Sequence, residues 1–245
     1  MLNRNENNIG PEKVFVSWSG GKDSSLACYR AMKSGLDVCY LASMLTTNTG
    51  RLFPHFVTAE VLRGQAAAIG IPLFEQWIEI PKDISHDVRL NEYDIKYSEM
   101  LGQLKAMGIT GGVFGDVSRG NKFAQMHWNR VEDFCRPVGM KPYRPLWDQD
   151  REEMIRSTIN LGFKPVIIVA DAEMGPEMLG QVLTHEILDQ LKARYEHLPD
   201  ENARIYYHTF VIDGPIFKKR LEIIDSEKVV AGPISYLDIK KFELV

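Results

Sequence analysis

From residue 13 onward the chain alternates short apolar runs with longer stretches whose apolar positions recur every three or four residues. KVFVSW at 13–18 predicts a buried strand, and KDSSLACYRAMKSG at 22–35 a helix that Gly35 closes from the C′ position. VCYLASML (38–45) predicts a second strand, and FVTAEVLRGQAAAIG (56–70) a second helix stopped by Gly70, with Pro72 just beyond. PLFEQWIEI (72–80), a helix across 92–107 and GGVFGD (111–116) continue the alternation. Strands separated by helices at this spacing predict right-handed crossover units and a mainly parallel sheet, an α/β fold.

After CRPVGMKPYRPLWDQD (135–150), rich in proline and aromatics, the pattern changes, which places a boundary near residue 140. One more helix–strand unit (151–172) and a helix near 176–195 lead into a strand-rich tail. There ARIYYHTFVIDG, FKKRLEIID, KVVAGP and SYLDIKKFELV read as short strands separated by Gly-Pro and Asp-Ser turns. The expected organisation is a disordered leader over 1–12, a nucleotide-binding domain over 13–140 and a smaller α+β domain over 141–245.

Composition narrows the function. The 245 residues are 44% hydrophobic and 25% charged, enough for a substantial core. A net charge of −4, with no basic run longer than KKR at 218–220, argues against a nucleic-acid partner. No apolar stretch reaches the ~20 residues of a membrane span, and the leader has no signal-peptide core. Cys28, Cys39 and Cys135 are widely spaced, the pattern of small hydrophobes in a reducing, cytoplasmic setting.

The chemistry concentrates in SGGKDS, residues 19–24, between the first strand and the first helix. Gly20 and Gly21 let the backbone turn tightly and approach a ligand, and the helix N-terminus behind them suits an anion such as phosphate. Lys22 adds a positive charge, Ser24 can cap or bond phosphate oxygens, and Asp23 beside an anion makes sense as a helix cap or a Mg²⁺ ligand. Neither a Walker A loop nor the dinucleotide fingerprint matches at this position.

SGGKDS resembles the pyrophosphate loop of the ATP pyrophosphatases. The chain from about residue 13 to 223 further resembles the diphthine–ammonia ligase family, through SGGKDSSLACYRA, ASML, HFVTAEVLRGQAAAIGIPL, VFGDVS, PLWDQDREE, LGFKPVIIVADAE and HTFVIDGPIF, in that family's order. The resemblance implies a PP-loop domain of the adenine nucleotide α-hydrolase-like type and an ATP- and Mg²⁺-dependent ligase. Such an enzyme adenylates a carboxylate, on a small molecule or a protein, releases pyrophosphate and forms an amide with ammonia. A homodimer is a possible assembly. The nucleotide would be held by Ser19, Gly20, Gly21, Lys22, Asp23, Ser24, Met44 and Gly115, with Asp23 on the metal. Lys22, Asp116 and His208 would be catalytic, and His55, His127 and Trp147 would face the substrate.

Each of these has a plainer reading. Met44 suits a strand core, Asp116 a turn, His55 a solvated loop, and His127 and Trp147 the bracing of a domain wall, while His208 alternates with Tyr206 and Phe210 as a half-buried strand residue. One segment departs from the family. Where relatives carry a G-E-x-G-E stretch, this chain has ENARIYY at 201–207, which leaves a nucleotide sensor or scaffold without ligase activity as the rival reading.

Overall fold

The computed structural model describes residues 10–79, 86–118, 124–195 and 207–245. The leader residues 1–9 and the divergent residues 201–206 lie outside this set.

The first half is built in the order β1 (Lys13–Ser17), α1 (Lys22–Lys33), β2 (Asp37–Thr46), β3 (Arg51–Leu52), β4 (Val57–Thr58), α2 (Ala59–Ile69), β5 (Leu73–Ile78), α3 (His86–Ala106), β6 (Gly111–Val113), α4 (Ala124–Cys135) and β7 (Lys141–Tyr143). The strands β5, β2, β1, β6 and β7 lie side by side and parallel, and the short β3–β4 hairpin continues antiparallel from the end of β2. The first strand is central because Val14, Phe15 and Val16 are all fully buried. Such a run suits a strand covered on both faces, each side chain contributing about 1.5–3 kcal/mol. Val14 and Val16 point to the α1 and α2 side, and Phe15 joins Met44, Tyr97, Met100, Leu101 and Leu104 on the other.

The second half adds α5 (Arg151–Asn160), β8 (Pro165–Asp171), a 3-10 turn (Pro176–Met178), α6 (His185–Tyr195), β9 (Tyr207–Val211), β10 (Leu221–Ala231) and β11 (Ile234–Leu244). Its four strands form an antiparallel sheet in the order β10-β11-β8-β9. The core on the α1 and α2 side continues into this sheet: Val14, Val16, Leu62 and Ala66 belong to the same cluster as Ile167, Val169, Phe210 and Ile239. Among the described residues no helix is long and apolar enough to cross a membrane. Burial pushes the Cys28 thiol up to about 12 and the Cys135 thiol up to about 11, so both serve as packing groups.

Several expected elements shift. The second helix begins at Ala59, not at residue 56: Phe56 has φ +58, Val57 and Thr58 pair with Leu52 and Arg51, and the Thr58 hydroxyl caps the helix by accepting from the Val61 N–H. The segment read as a proline-rich connection contains β7, an edge strand where Pro142 is tolerated because one side needs no ladder partner. Asp225-Ser226 is not a turn. The two short strands expected around it are one strand, β10, whose register shifts at these residues as a bulge.

Candidate functional site

In a parallel sheet wound outward in both directions from a central strand, ligands bind where neighbouring crossovers diverge, at the carboxyl ends of the strands. Here that point lies between β1, which leads through α1 to β2, and β6 on its other side. A cavity of about 520 Å³ opens there. Ser17, Trp18, Ser19, Asp23 and Ser24 form its floor, Ala42 and Met44 one wall, Gly115 and Asp116 the end of β6, and Arg151, Met154, Tyr207 and His208 the side contributed by the second half.

The loop is held from both halves. Gly20 has φ +75, and a Cβ there would lie 2.7 Å from Gln65 Oε1 and 2.9 Å from the Phe210 ring. A Cβ on Gly21 would lie 2.9 Å from the Thr209 carbonyl oxygen. The two glycines therefore admit strand β9 as well as any ligand. Val211 N–H donates to the Gly20 carbonyl at 2.8 Å, and Lys22 N–H donates to Thr209 Oγ1 at 3.1 Å. Gln65, fully buried, spans the joint: its amide donates to the Gly20 carbonyl at 2.9 Å and to the Val211 carbonyl at 2.6 Å, and it accepts from Trp18 Nε1 at 2.9 Å.

Ser19 and Ser24 hydroxyls lie 3.2 Å apart at the mouth of the loop, and Ser24 donates to the Gly21 carbonyl. The Lys22 ammonium is buried, 2.9 Å from Asp23 Oδ2 and 5.2 Å above the Tyr207 ring, so it stands behind the cavity lining. The other Asp23 oxygen, Oδ1, is buried at the cavity edge without a hydrogen-bond partner. Among the described residues no three carboxylate, histidine or cysteine side chains are grouped to hold a metal by themselves.

The β3–β4 hairpin carries His55 over the loop. Arg51 anchors that hairpin to the second sheet, pairing with Asp238 at 2.8 Å, and Phe56 stacks on Tyr236 with ring centroids 4.7 Å apart. His55 and His208 lie ring against ring, centroids 4.3 Å apart, and His55 Nδ1 is buried without a partner. Burial chiefly, then the His208 ring and the Lys22 ammonium, holds His55 well below the ordinary histidine range. Burial also lowers His208 to about 4, with Lys22 adding to the effect and Asp23 opposing it. Both rings are uncharged at neutral pH.

That has a sign. Between pH 6.5 and 4 the unfolded chain protonates at His208 and the native protein does not. Stability is then full above about 6.5 and falls with acidification, by up to about 3 kcal/mol from His208 at 1.36 kcal/mol per unit. Urea titrations from pH 7 to 4.5 on wild type and His208→Gln should give a clearly shallower loss in the variant. Equal slopes would remove His208 as the cause.

Asp116 Oδ1 and His127 Nδ1 are 3.2 Å apart, and both side chains line the cavity. Met44 is both things expected of it, a buried core residue and part of the cavity wall. Trp147 is elsewhere: its ring packs edge-on against Trp128 at 4.7 Å, outside the lining, which is the bracing position. Arg151, Tyr207 and the bridging Gln65 were missed as site residues. Gln65 had a legible signal, a polar residue on the apolar stripe of Val61, Leu62, Ala66 and Ile69. A second, mostly apolar chamber of about 690 Å³, bordered by Phe114, Met126, Arg130 and Phe134, shares Tyr93, Tyr97, Asp116 and His127 with the first.

A mainly parallel sheet with a glycine-rich loop at its switch point, joined here to an antiparallel sheet, defines a mixed α/β fold. Residues 12–142 match the diphthamide synthase N-terminal domain and residues 150–245 the diphthamide synthase C-terminal domain, and the chain belongs to that family. A diphthine–ammonia ligase of Mus musculus is 30% identical over 258 residues, covering 95% of this chain and 92% of its own length. That of Schizosaccharomyces pombe is 27% identical over 242 residues and covers 93% of this chain, which spans 39% of the yeast protein. A solved structure described as a predicted subunit of tRNA methyltransferase from Methanocaldococcus jannaschii covers 83% of this chain at 14% identity, with a TM-score of 0.45.

Proposed function

We propose that this chain is an ATP-dependent ligase that adenylates a carboxylate, releases pyrophosphate and passes the activated acyl group to ammonia. The observation that carries the reading is the SGGKDS loop at the floor of the cavity between the two sheets, in a chain whose curated relatives are diphthine–ammonia ligases.

The roles follow from where the groups stand. Ser19, Ser24 and the backbone of Gly20 and Gly21 receive the β- and γ-phosphates at the N-terminus of α1. Lys22 leaves Asp23 to neutralise the pyrophosphate as it departs. The orphaned Asp23 Oδ1 fits a Mg²⁺ ion, which would take its other ligands from phosphate oxygens and water and would neutralise charge on the departing group. Met44 borders the adenine. Gly115, where a Cβ would lie 3.0 Å from the Asp23 backbone, lets the end of β6 pack against the loop, and Asp116, braced by His127, faces the ribose and α-phosphate. Arg151 adds a cation where charge builds on the α-phosphorus. His208 stands at the acceptor end, and the adjoining aromatic chamber has room for the acceptor. Adenylation makes the carboxyl carbon electrophilic, and catalysis is mainly positioning and charge neutralisation.

Elongation factor 2 in its diphthine form is the acceptor to try first, since diphthine is what the relatives' name specifies. Incubated with Mg·ATP and ammonium chloride, it should yield pyrophosphate, AMP and amide in equal amounts, with none released when the acceptor is left out. Nucleotide binding with no pyrophosphate from this acceptor or from a panel of small carboxylates would overturn the ligase reading.

A further inference from the structure

The ligase reading leaves open where the nitrogen nucleophile sits, and the cavity offers a specific atom. His55 Nδ1 is a buried ring nitrogen with no hydrogen-bond partner, on a residue that lines the nucleotide cavity. Its ring is clamped. One face lies against His208, and Nε2 looks toward the loop, 3.5 Å from where a Cβ on Gly21 would be. The hairpin that carries it is tied to the second sheet through Arg51–Asp238 and Phe56–Tyr236, so the atom is placed by both halves.

The chemistry of the surroundings selects the ligand. With the ring proton on Nε2, Nδ1 carries a bare lone pair, which repels phosphate and carboxylate oxygens. The nearby Lys22 ammonium and Arg151 guanidinium oppose a cation such as ammonium. Among the reactants this leaves ammonia, a small uncharged N–H donor. We propose that His55 Nδ1, steadied by the His208 ring, docks the ammonia nucleophile and accepts its proton.

In the step that follows, the ammonia lone pair forms the C–N bond to the acyl carbon of the adenylate, and the C–O bond to AMP breaks with its electron pair going to the phosphate. The surplus proton on nitrogen moves to His55 Nδ1 and leaves to solvent with the products. Burial keeps the ring uncharged beforehand, so a ring lone pair is open to the nucleophile's N–H. This inference rests on the adenylation reading, and its test has one arm that needs no acceptor.

Protein labelled with ¹⁵N-histidine and bound to AMP is titrated with ammonium chloride at alkaline pH, where free ammonia is plentiful, with tetramethylammonium chloride as the salt control. The His55 Nδ1 resonance, assigned by its loss in His55→Gln, should move saturably with ammonium chloride alone. A resonance that stays put, or moves equally with both salts, overturns the proposal. In the second arm, with the acceptor present, His55→Gln should lower the ratio of amide to pyrophosphate about 100-fold as the adenylate hydrolyses instead. Hydroxylamine, which needs little help from a base, should bring the product ratio back to within about tenfold of wild type. An unchanged ratio with ammonia overturns this inference while leaving the ligase reading intact. A saturable nitrogen shift with no pyrophosphate from any acceptor supports the ammonia site and sinks the ligase reading.

Discussion

Gly20→Ala lowers the free energy of unfolding by about 3–5 kcal/mol, a large share of the roughly 5–15 kcal/mol of a folded domain. Two effects add. A side chain at φ +75 costs about 1–2 kcal/mol by itself. The new methyl must also displace Gln65 and Phe210, both fully buried, and overpacking of that kind costs about 1–3 kcal/mol before any loss of the Gln65 hydrogen bonds. Gly35 supplies the control. Its φ is +87 and nothing lies within 4 Å of a Cβ built there, so Gly35→Ala should carry only the backbone cost. Thermal denaturation of both variants decides the matter: equal shifts would mean that the loop does not depend on close contact with the second half.

Lys22→Ala should reduce kcat/KM for acceptor-dependent pyrophosphate release by about 10²–10³-fold, the scale at which one preorganised charge-stabilising donor contributes. The ammonium is already within one residue of the cavity, held by Asp23 and the face of Tyr207, and the alanine removes it without adding bulk. Stability should change little by comparison, because the Asp23 carboxylate is about a third exposed and water replaces its partner. Lys22→Arg should restore only part of the activity, since a planar guanidinium does not fit a slot sized for a compact ammonium. A Lys22→Ala enzyme that keeps a third or more of the wild-type rate would remove this lysine from the leaving pyrophosphate.

The sequence announced the parts of the fold that follow from local chemistry. The β1 run, the loop after it, Gly35 behind α1 and Gly70 behind α2 are each set by a few adjacent residues, and each stands where its residues put it. Features settled by distant partners were not legible. The two-residue strands β3 and β4 exist because they pair with each other and β3 pairs with the end of β2, and β7 exists because the edge of β6 was open to it. The site follows the same division. Asp23, Asp116, His55, His127 and His208 could be picked from motif order and strand ends, and all line the cavity. Arg151 could not, because its side chain reaches the cavity only after the second half has closed over the first. Trp147, chosen by motif alone, found a tryptophan partner instead.

The bridge from Gly20 through Gln65 to Val211 also bears on how this family can be recombined. A hybrid joining the first half of this protein to the second half of a relative would have to bring compatible residues at 209–211 to meet Gly20, Gly21 and Gln65. Without them the Lys22 N–H would lose the Thr209 hydroxyl and the space against Gly20 would lose the Phe210 ring, inside a dry joint. A crossover point chosen in the linker between the sheets would look innocuous on the chain and still cut through this joint. Libraries of such hybrids should therefore be ranked by that joint before linker length is considered.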